Sequence, residues 1–177
     1  MLRSNDVVLN VENVTVHYKE KTLLENISFK LREGEVLAVL GESGSGRTTL
    51  LLTIAGVLKG MSNFKVDGIV RVYGKNVEEL TPIEKTKVMG ILLQDPESQF
   101  TSLRVEDEIS FTLENLNYDP ARIDIEVDRV LKMFNIEHLK GRLTYTLSGG
   151  EKQKVALAST LSLKPTTSPF RQSRCQS

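Results

Sequence analysis

The sequence has one cysteine, no tryptophan and few aromatic residues, which make up 6% of its 177 residues. Because Cys175 has no second cysteine to pair with, an internal disulfide is excluded and a reducing compartment is favoured. No apolar run approaches the roughly 20 residues that a membrane-spanning helix needs. Residues 1–6 are too polar for a secretory signal peptide. These absences predict a cytosolic protein.

An excess of positive charge is also lacking, because 23 Lys and Arg residues balance 23 Asp and Glu residues. Proteins that bind nucleic acid rely largely on basic residues that neutralise phosphates. We therefore expect no nucleic-acid partner. The chain is long enough for one domain with a hydrophobic core.

What the sequence does contain is a glycine-rich stretch from Gly41 to Thr49, which reads Gly-Glu-Ser-Gly-Ser-Gly-Arg-Thr-Thr. It lies between the apolar runs 36–40 and 50–55, which predicts a buried strand, a turn and a helix start. Backbone N–H groups at such a turn converge on one point, where the helix dipole favours an anion. Because glycine has no Cβ, the backbone can wrap phosphate oxygens. The stretch therefore predicts a phosphate site.

This stretch fits the phosphate-loop pattern G-x-x-x-x-G-K-[ST] except at Arg47, where the pattern has lysine. The compact ammonium of lysine fits between terminal phosphates, whereas guanidinium is longer and planar, so the exchange is not neutral. Thr48 keeps the hydroxyl that would bind Mg²⁺. An ordinary glycine turn is the alternative interpretation.

The rest of the pattern predicts an α/β protein that opens with an antiparallel β section. Apolar and polar residues alternate through 9–18 and 27–31, and a phase slip at Glu12-Asn13 suggests a bulge or turn. Residues 88–93 read as a second buried strand, and residues 96–147 as a helical insert. The fold class is thus a parallel-sheet core with an antiparallel β subdomain and a helical subdomain.

Local signals predict where helices and turns begin and end. The helix after Thr49 is expected to run to about Leu58, and Asp67-Gly68 to turn into a strand containing Val70, Val72 and Tyr73. Thr81-Pro82-Ile83-Glu84 and Ser148-Gly149-Gly150-Glu151 each have a glutamate at capping-box spacing. From Thr166 the sequence has no periodicity, which predicts a domain over 1–165 and a disordered tail over 166–177.

Residues 147–153, Leu-Ser-Gly-Gly-Glu-Lys-Gln, resemble the signature motif of the ATP-binding subunits of ABC transporters. Gln94 matches the glutamine of the family's Q-loop, and Tyr18 lies where the family stacks an aromatic ring on adenine. The resemblance extends to Pro165 and implies a P-loop NTPase core. Residues 94–100 and 105–116 resemble the ATPases of energy-coupling-factor transporters, which take up vitamins or metal ions such as cobalt and nickel.

The resemblance also implies cofactors, partners and roles. ATP and Mg²⁺ would bind between this chain and a second ATP-binding subunit, in a homodimer or heterodimer that docks on transmembrane subunits at the cytoplasmic face of the membrane. Thr48 and Gln94 would contact Mg²⁺, and Ser148 and Gly150 would cap the ATP of the second subunit. The implied nucleotide contacts are Tyr18, Gly41, Ser43, Gly44, Gly46, Arg47, Thr48, Thr49, Gln94, Ser148, Gly149 and Gly150.

Three of these residues have simpler interpretations. Tyr18 could be the last inward-facing side chain of a strand. Gln94 could be a polar strand end. Ser148 could serve only as a helix cap.

In the family, an apolar strand ending in Asp-Glu-Pro follows the signature helix, and residues 162–177 contain no such strand. Since that aspartate supports Mg²⁺ and that glutamate polarises water, the resemblance implies missing core strands and no turnover. A frameshift near codon 165 is one hypothesis for this ending. The alternative function is an inactive nucleotide-binding or partner-interaction fragment. A soluble ABC-type ATPase of DNA repair or translation is disfavoured by the neutral charge.

Overall fold

The computed structural model describes residues 6–95 and 97–162. The chain divides into two compact units, Met1–Lys85 and Thr86–Ser177. The predicted tail over residues 166–177 lies outside the described residues. None of the helices in the described part of the chain has the length and apolar character that crossing a membrane requires.

The first unit is built on four strands: β1 (Val7–Tyr18), β2 (Lys21–Arg32), β3 (Phe64–Val72) and β4 (Lys75–Asn76). They form one sheet in the order β2-β1-β3-β4, and every pair in it is antiparallel. One face of the sheet points into the core. On this face the β1 residues Val11, Val14 and Val16 are buried. The predicted antiparallel opening section is confirmed.

A β-bulge interrupts β1 at the predicted phase slip. The pairing with β2 shifts register between Val11 and Val14, and Asn13 adopts a left-handed φ of 49°. A Cβ on Gly68, in β3, would lie 2.5 Å from the carbonyl oxygen of Asn13. Glycine is therefore required beside the bulge. The predicted turn at Asp67-Gly68 is wrong, because β3 continues through both residues and ends before Tyr73.

Two helices begin in this part of the chain. Helix α1 (Arg47–Ile54) stops short of the predicted end because Gly56 takes a φ of 65°, and a short 3-10 helix, Leu58–Gly60, follows it. Helix α2 (Pro82–Val88) begins as predicted. The hydroxyl of Thr81 accepts a hydrogen bond of 3.2 Å from the amide of Glu84, whose carboxylate accepts one of 2.9 Å from the amide of Thr81.

The two segments predicted as buried strands, 36–40 and 88–93, form no strand. Val36 and Leu40 are 95% and 90% exposed, and Val88 is instead the last residue of α2. A parallel strand is stable only when its backbone groups pair with neighbouring strands. Within the described residues neither segment has such a neighbour, so the predicted parallel sheet is not formed there.

The second unit is helical, which confirms the helical character predicted for residues 96–147. Its core is made by apolar side chains from all three of its long helices, including Ile109, Val130 and Val155, each fully buried. Phe134 is the C-cap residue that directly follows α4 (Pro120–Met133). The helices are α3 (Val105–Glu114), α4 (Pro120–Met133) and α5 (Gly149–Leu161). Further 3-10 turns are Val77–Glu79 in the first unit, and Glu97–Gln99, Glu137–Leu139 and Thr144–Thr146 here.

Replacing Gly68 with alanine should destabilise the protein by about 3 kcal/mol, because the new Cβ meets backbone at the bulge and φ is left-handed. Gly74→Ala is the matched control: its φ is 79° but a Cβ there meets nothing within 4 Å. That variant should be destabilised by only about 1 kcal/mol, which is the cost of the left-handed φ for alanine. Equilibrium urea unfolding measures both, and equal losses would show that the bulge does not require glycine.

Candidate functional site

The glycine-rich loop adopts a tight turn that leads into α1. Gly44 and Gly46 have left-handed φ angles of 84° and 89°, which other residues rarely adopt. The amide of Ser45 donates a hydrogen bond of 3.1 Å to the carbonyl oxygen of Glu42, so this amide serves the turn itself. The turn and helix start predicted from the sequence are confirmed, whereas the strand predicted before them is wrong.

Two of the glycines lie in close packing contacts. A Cβ on Gly41 would lie 2.5 Å from the hydroxyl oxygen of Ser45, across the same loop. A Cβ on Gly46 would lie 2.8 Å from the Leu24 side chain and 3.1 Å from the Leu23 carbonyl oxygen, both on β2. The loop is therefore pressed against the sheet at the point where α1 begins.

The N-terminus of α1 is open. Gly46 occupies the N-cap position, no side chain caps the helix, and its first turn contains no acidic residue. The helical hydrogen bonds begin with the amide of Leu50, which donates to Gly46 at 2.8 Å. Amides in the first turn of a helix have no intrahelical partner, so those of residues 47–49 remain available. Together with the helix dipole, these amides can bind an anion.

The side chains of the loop are mostly exposed. Arg47 and Thr48 are exposed, as is Ser43 in the turn, while Thr49 is half-buried and its carbonyl oxygen accepts a hydrogen bond of 2.7 Å from the hydroxyl of Thr53. The Cδ atom of Arg47 lies 4.0 Å from the position of a Cβ on Gly41. The stem of Arg47 therefore passes close to Gly41 at the start of the loop.

Tyr18 lies at the end of β1, directly opposite Phe64 of β3. Its side chain follows the buried valines of β1 in alternation, yet the residue is 36% exposed because the sheet ends there. The two rings have centroids 4.9 Å apart, and the Nζ of Lys19 lies 5.6 Å from the Tyr18 centroid. Tyr18 is therefore both the last residue of the buried face and an accessible ring.

Gln94 is an exposed residue of an irregular segment in the second unit. The side chain of Gln99 joins the two ends of this segment, because its carbonyl oxygen accepts a hydrogen bond of 3.3 Å from the amide of Leu93. The hydroxyl of Ser98 donates to the carbonyl oxygen of Asp95 at 2.8 Å. Gln99 was not among the residues predicted for the site, because nothing local in the sequence distinguishes a glutamine that binds backbone six residues away.

Glu108 is a buried carboxylate in the first turn of α3. It accepts hydrogen bonds of 2.8 Å from the amides of Thr101 and Ser102, and its backbone carbonyl accepts one of 3.0 Å from the hydroxyl of Ser159 on α5. Its acidic neighbours Glu106 and Asp107 are more exposed. Glu108 thus ties the loop after Gln94 to two helices, a role that the sequence pattern did not single out.

The N-terminus of α5 is closed by its own side chains. The amide of Ser148 donates to the Glu151 carboxylate at 2.7 Å, and the hydroxyl of Ser148 accepts from the Glu151 amide at 3.4 Å, which completes a capping box. The same hydroxyl also donates to the Glu151 carboxylate at 2.7 Å. Arg142 lies 3.6 Å from the same carboxylate. The interpretation of Ser148 as a cap is thus confirmed. A Cβ on Gly149 or Gly150 would meet nothing within 4 Å, so the space beside them is open.

These hydrogen bonds shift the acidity of Glu151. The Ser148 hydroxyl and backbone amide, with Arg142 and His138 adding positive potential, hold the pKa of the Glu151 carboxyl below its ordinary value of 4.5. The charged carboxylate is therefore the form that stabilises the start of α5.

Comparison with known proteins decides the family. A sequence model described as ABC transporter matches residues 24–167, which include the glycine-rich loop, Gln94 and the α5 N-terminus. The chain belongs to the ABC transporter family. This ABC transporter chain is 38% identical over 159 residues to the energy-coupling factor transporter ATP-binding protein EcfA1 of Fusobacterium nucleatum, covering 88% of the chain and 58% of that relative.

A second relative and a solved structure agree with this family assignment. The EcfA1 protein of Mycoplasma pneumoniae is 33% identical over 174 residues, which is 98% of this chain and 62% of the relative. The solved structure of cbiO1 from Clostridium perfringens, part of the ABC transporter complex cbiONQ, aligns with a TM-score of 0.77 at 32% identity, over 90% of this chain and 63% of that one. The α/β fold class is thereby confirmed. The chain spans less than two thirds of each of these proteins.

The lowered pKa of Glu151 predicts a pH effect with a definite sign. A depressed carboxyl pKa contributes stability that is fully present above 4.5 and is lost as pH falls through the lowered value. The stability advantage of the native protein over Glu151→Gln should therefore shrink as pH falls below 4.5, because protonated glutamate resembles glutamine.

Urea unfolding of both proteins between pH 7 and pH 3 measures this advantage. Glu106→Gln is the matched control, since it removes an acidic group from the first turn of α3, which has no side-chain cap. A difference between native protein and Glu151→Gln that stays constant across this pH range would contradict the assigned hydrogen bonds.

Proposed function

We propose that this chain binds ATP and Mg²⁺ through its glycine-rich loop, as the ATP-binding subunit, or part of one, of an energy-coupling-factor uptake transporter. The observation that carries the proposal is the open N-terminus of α1, with Gly44 and Gly46 in left-handed conformations just before it. Names of the two EcfA1 relatives support the transporter class. Binding and hydrolysis of ATP would then drive solute import.

The residues of the loop fit a triphosphate in their chemistry. Available amides and a helix dipole favour anionic oxygens, and the guanidinium of Arg47 adds positive charge. Hydroxyl and amide oxygens, such as those of Thr48 and Gln94, are ligand types that Mg²⁺ accepts. When bound, Mg²⁺ would neutralise charge on the terminal phosphates. Gly41, Ser43 and Thr49 would shape the loop around them, and Tyr18 would stack on adenine.

The α5 N-terminus would serve the nucleotide of a second ATP-binding subunit. Gly149 and Gly150 leave space beside the helix end, and Ser148 would contact the terminal phosphate there. In this arrangement the anion must compete with the Glu151 carboxylate, which already accepts from Ser148. Binding at this end would therefore be weaker than at α1 until the second subunit docks.

The proposed complex includes transmembrane subunits and lies at the cytoplasmic face of the membrane. Its support is the description of cbiO1 as part of the complex cbiONQ, together with the relatives' names. The neutral balance of charges supports protein partners rather than nucleic acid.

A second candidate is an inactive nucleotide-binding or partner-interaction fragment. The exposure of Val36 and Leu40 favours it, because a segment of apolar residues in water suits a chain whose core is incomplete. Arg47 favours it as well, since a guanidinium replaces the ammonium that the phosphate-loop pattern requires. In either case we propose that these 177 residues, expressed alone, bind ATP without hydrolysing it at an enzymatic rate.

Thr48→Ala tests the proposed site. Titration with ATP in the presence of Mg²⁺ should show an affinity about tenfold lower than that of the native protein, because a hydroxyl ligand is lost. With EDTA in place of Mg²⁺, the two proteins should bind ATP equally. Thr22→Ala, an exposed threonine on β2, is the control and should match the native protein. An unchanged Mg²⁺-dependent affinity in Thr48→Ala would overturn the assignment of this residue.

Arg47→Lys should raise the affinity for ATP by about tenfold, since a compact ammonium makes charge-assisted hydrogen bonds that the planar guanidinium cannot fit. Arg122→Lys on the exposed face of α4 is the control for the same exchange. Phosphate release by Arg47→Lys should stay at background. Enzymatic turnover in the native protein, abolished by Thr48→Ala, would instead favour an active ATPase.

A further inference from the structure

The ring of Tyr18 is backed by an aromatic partner from the neighbouring strand. Phe64 is the first residue of β3 and lies directly opposite Tyr18 in the antiparallel register. The ring planes are tilted by 53° with centroids 4.9 Å apart, which is a favourable aromatic arrangement. Directly opposed side chains of paired strands restrict one another. Phe64 therefore limits the directions in which the Tyr18 ring can turn.

A cation lies over the same ring. The Nζ of Lys19 is 5.6 Å from the Tyr18 centroid, within the range of a cation–π interaction. The backbone of Lys19 is held in place, with φ of 53° and its amide donating to the carbonyl oxygen of Asn63 at 3.0 Å. Among the described residues, Lys19 takes part in no ion pair, so only the weak attraction of an exposed cation holds its ammonium over the ring.

We propose that Phe64 is the positioning residue for the base-stacking ring of Tyr18, and that the Lys19 ammonium occupies the ring face that the nucleobase takes. This inference rests on the proposed ATP site. Binding of the base exchanges a cation–π contact for a stacked base, while Phe64 keeps the ring in the orientation that stacking requires. Phe64 and Lys19 therefore control how much the base, as distinct from the phosphates, contributes to affinity.

Two simpler roles make different predictions. If Phe64 only packs the end of the sheet, its loss lowers the stability of the fold but leaves the contribution of the base to ATP affinity unchanged. If Lys19 only attracts phosphates by its charge, its removal weakens every polyphosphate equally. Both roles are separated from the proposal by comparing ATP with inorganic tripolyphosphate, which has the phosphates without the base.

The measured quantity is the ratio of the tripolyphosphate Kd to the ATP Kd, by calorimetry of the full chain with Mg²⁺. In the native protein this ratio should be about five or more, as expected for one base stacked on an aromatic ring. Phe64→Leu should lower it by about two- to tenfold, because the aromatic contact is lost. Phe64→Tyr keeps an aromatic ring and should leave the ratio at its native value. Lys19→Ala should raise it by about two- to fourfold, since the competing cation is gone.

Matched controls are available on the same sheet. Phe29→Leu makes the same exchange opposite Val11, away from Tyr18, and should leave the ratio unchanged. Lys30→Ala removes an exposed lysine of β2 and should do the same. If Phe64→Leu fails to fold, as judged by circular dichroism, Lys19→Ala still tests the proposal, because that side chain is exposed.

The outcomes separate the inference from the function on which it rests. A native protein that binds neither compound overturns both. A native protein that binds both compounds, with a ratio unaffected by Phe64→Leu and Lys19→Ala, overturns only the inference. If Lys19→Ala weakens the binding of ATP and of tripolyphosphate equally, the lysine attracts phosphates, and its proposed role over the ring is rejected.

Discussion

The first unit depends on the backbone pairing of β1 with strands on both of its sides. This pairing satisfies the polar backbone of a strand whose valines are buried, and it tolerates a bulge because Gly68 leaves room for the Asn13 carbonyl. β1 also positions the Tyr18 ring at its end. β2, held by the same pairing, packs Leu24 against Gly46 and so places the glycine-rich loop. The sheet therefore determines where the candidate phosphate loop lies.

The two helix N-termini with glycine and serine nearby differ in their electrostatic state. At α1 the N-cap is a glycine and no side chain caps the first-turn amides, so positive potential faces outward. At α5 the cap is Ser148, and the Glu151 carboxylate neutralises part of the same potential. The proposed function brings both ends near nucleotide phosphates. An anion at the α5 end would therefore meet the charge of Glu151, whereas the first turn of α1 contains no acidic residue.

Local signals account for what could be predicted correctly. Both capping boxes, at Thr81 and Ser148, formed as expected because their partners lie three residues along the chain. The slip at Glu12-Asn13 predicted the bulge because side-chain alternation is a property of the strand itself. The positions of Gln99, Glu108 and Phe64 could not be found this way, because each acts through a partner that no short sequence pattern identifies.

The sequence by itself determined the family, the glycine turn, the helix starts and the alternation of β1 and β2, all of which follow from residues close together in the chain. Only the tertiary structure decided whether the apolar run 36–40 became a strand. Its residues have strand-like composition, yet Val36 and Leu40 are exposed, because a parallel strand needs hydrogen-bond partners that no local pattern supplies. The same holds for the buried carboxylate of Glu108, which is stable only because folding brings backbone amides to it.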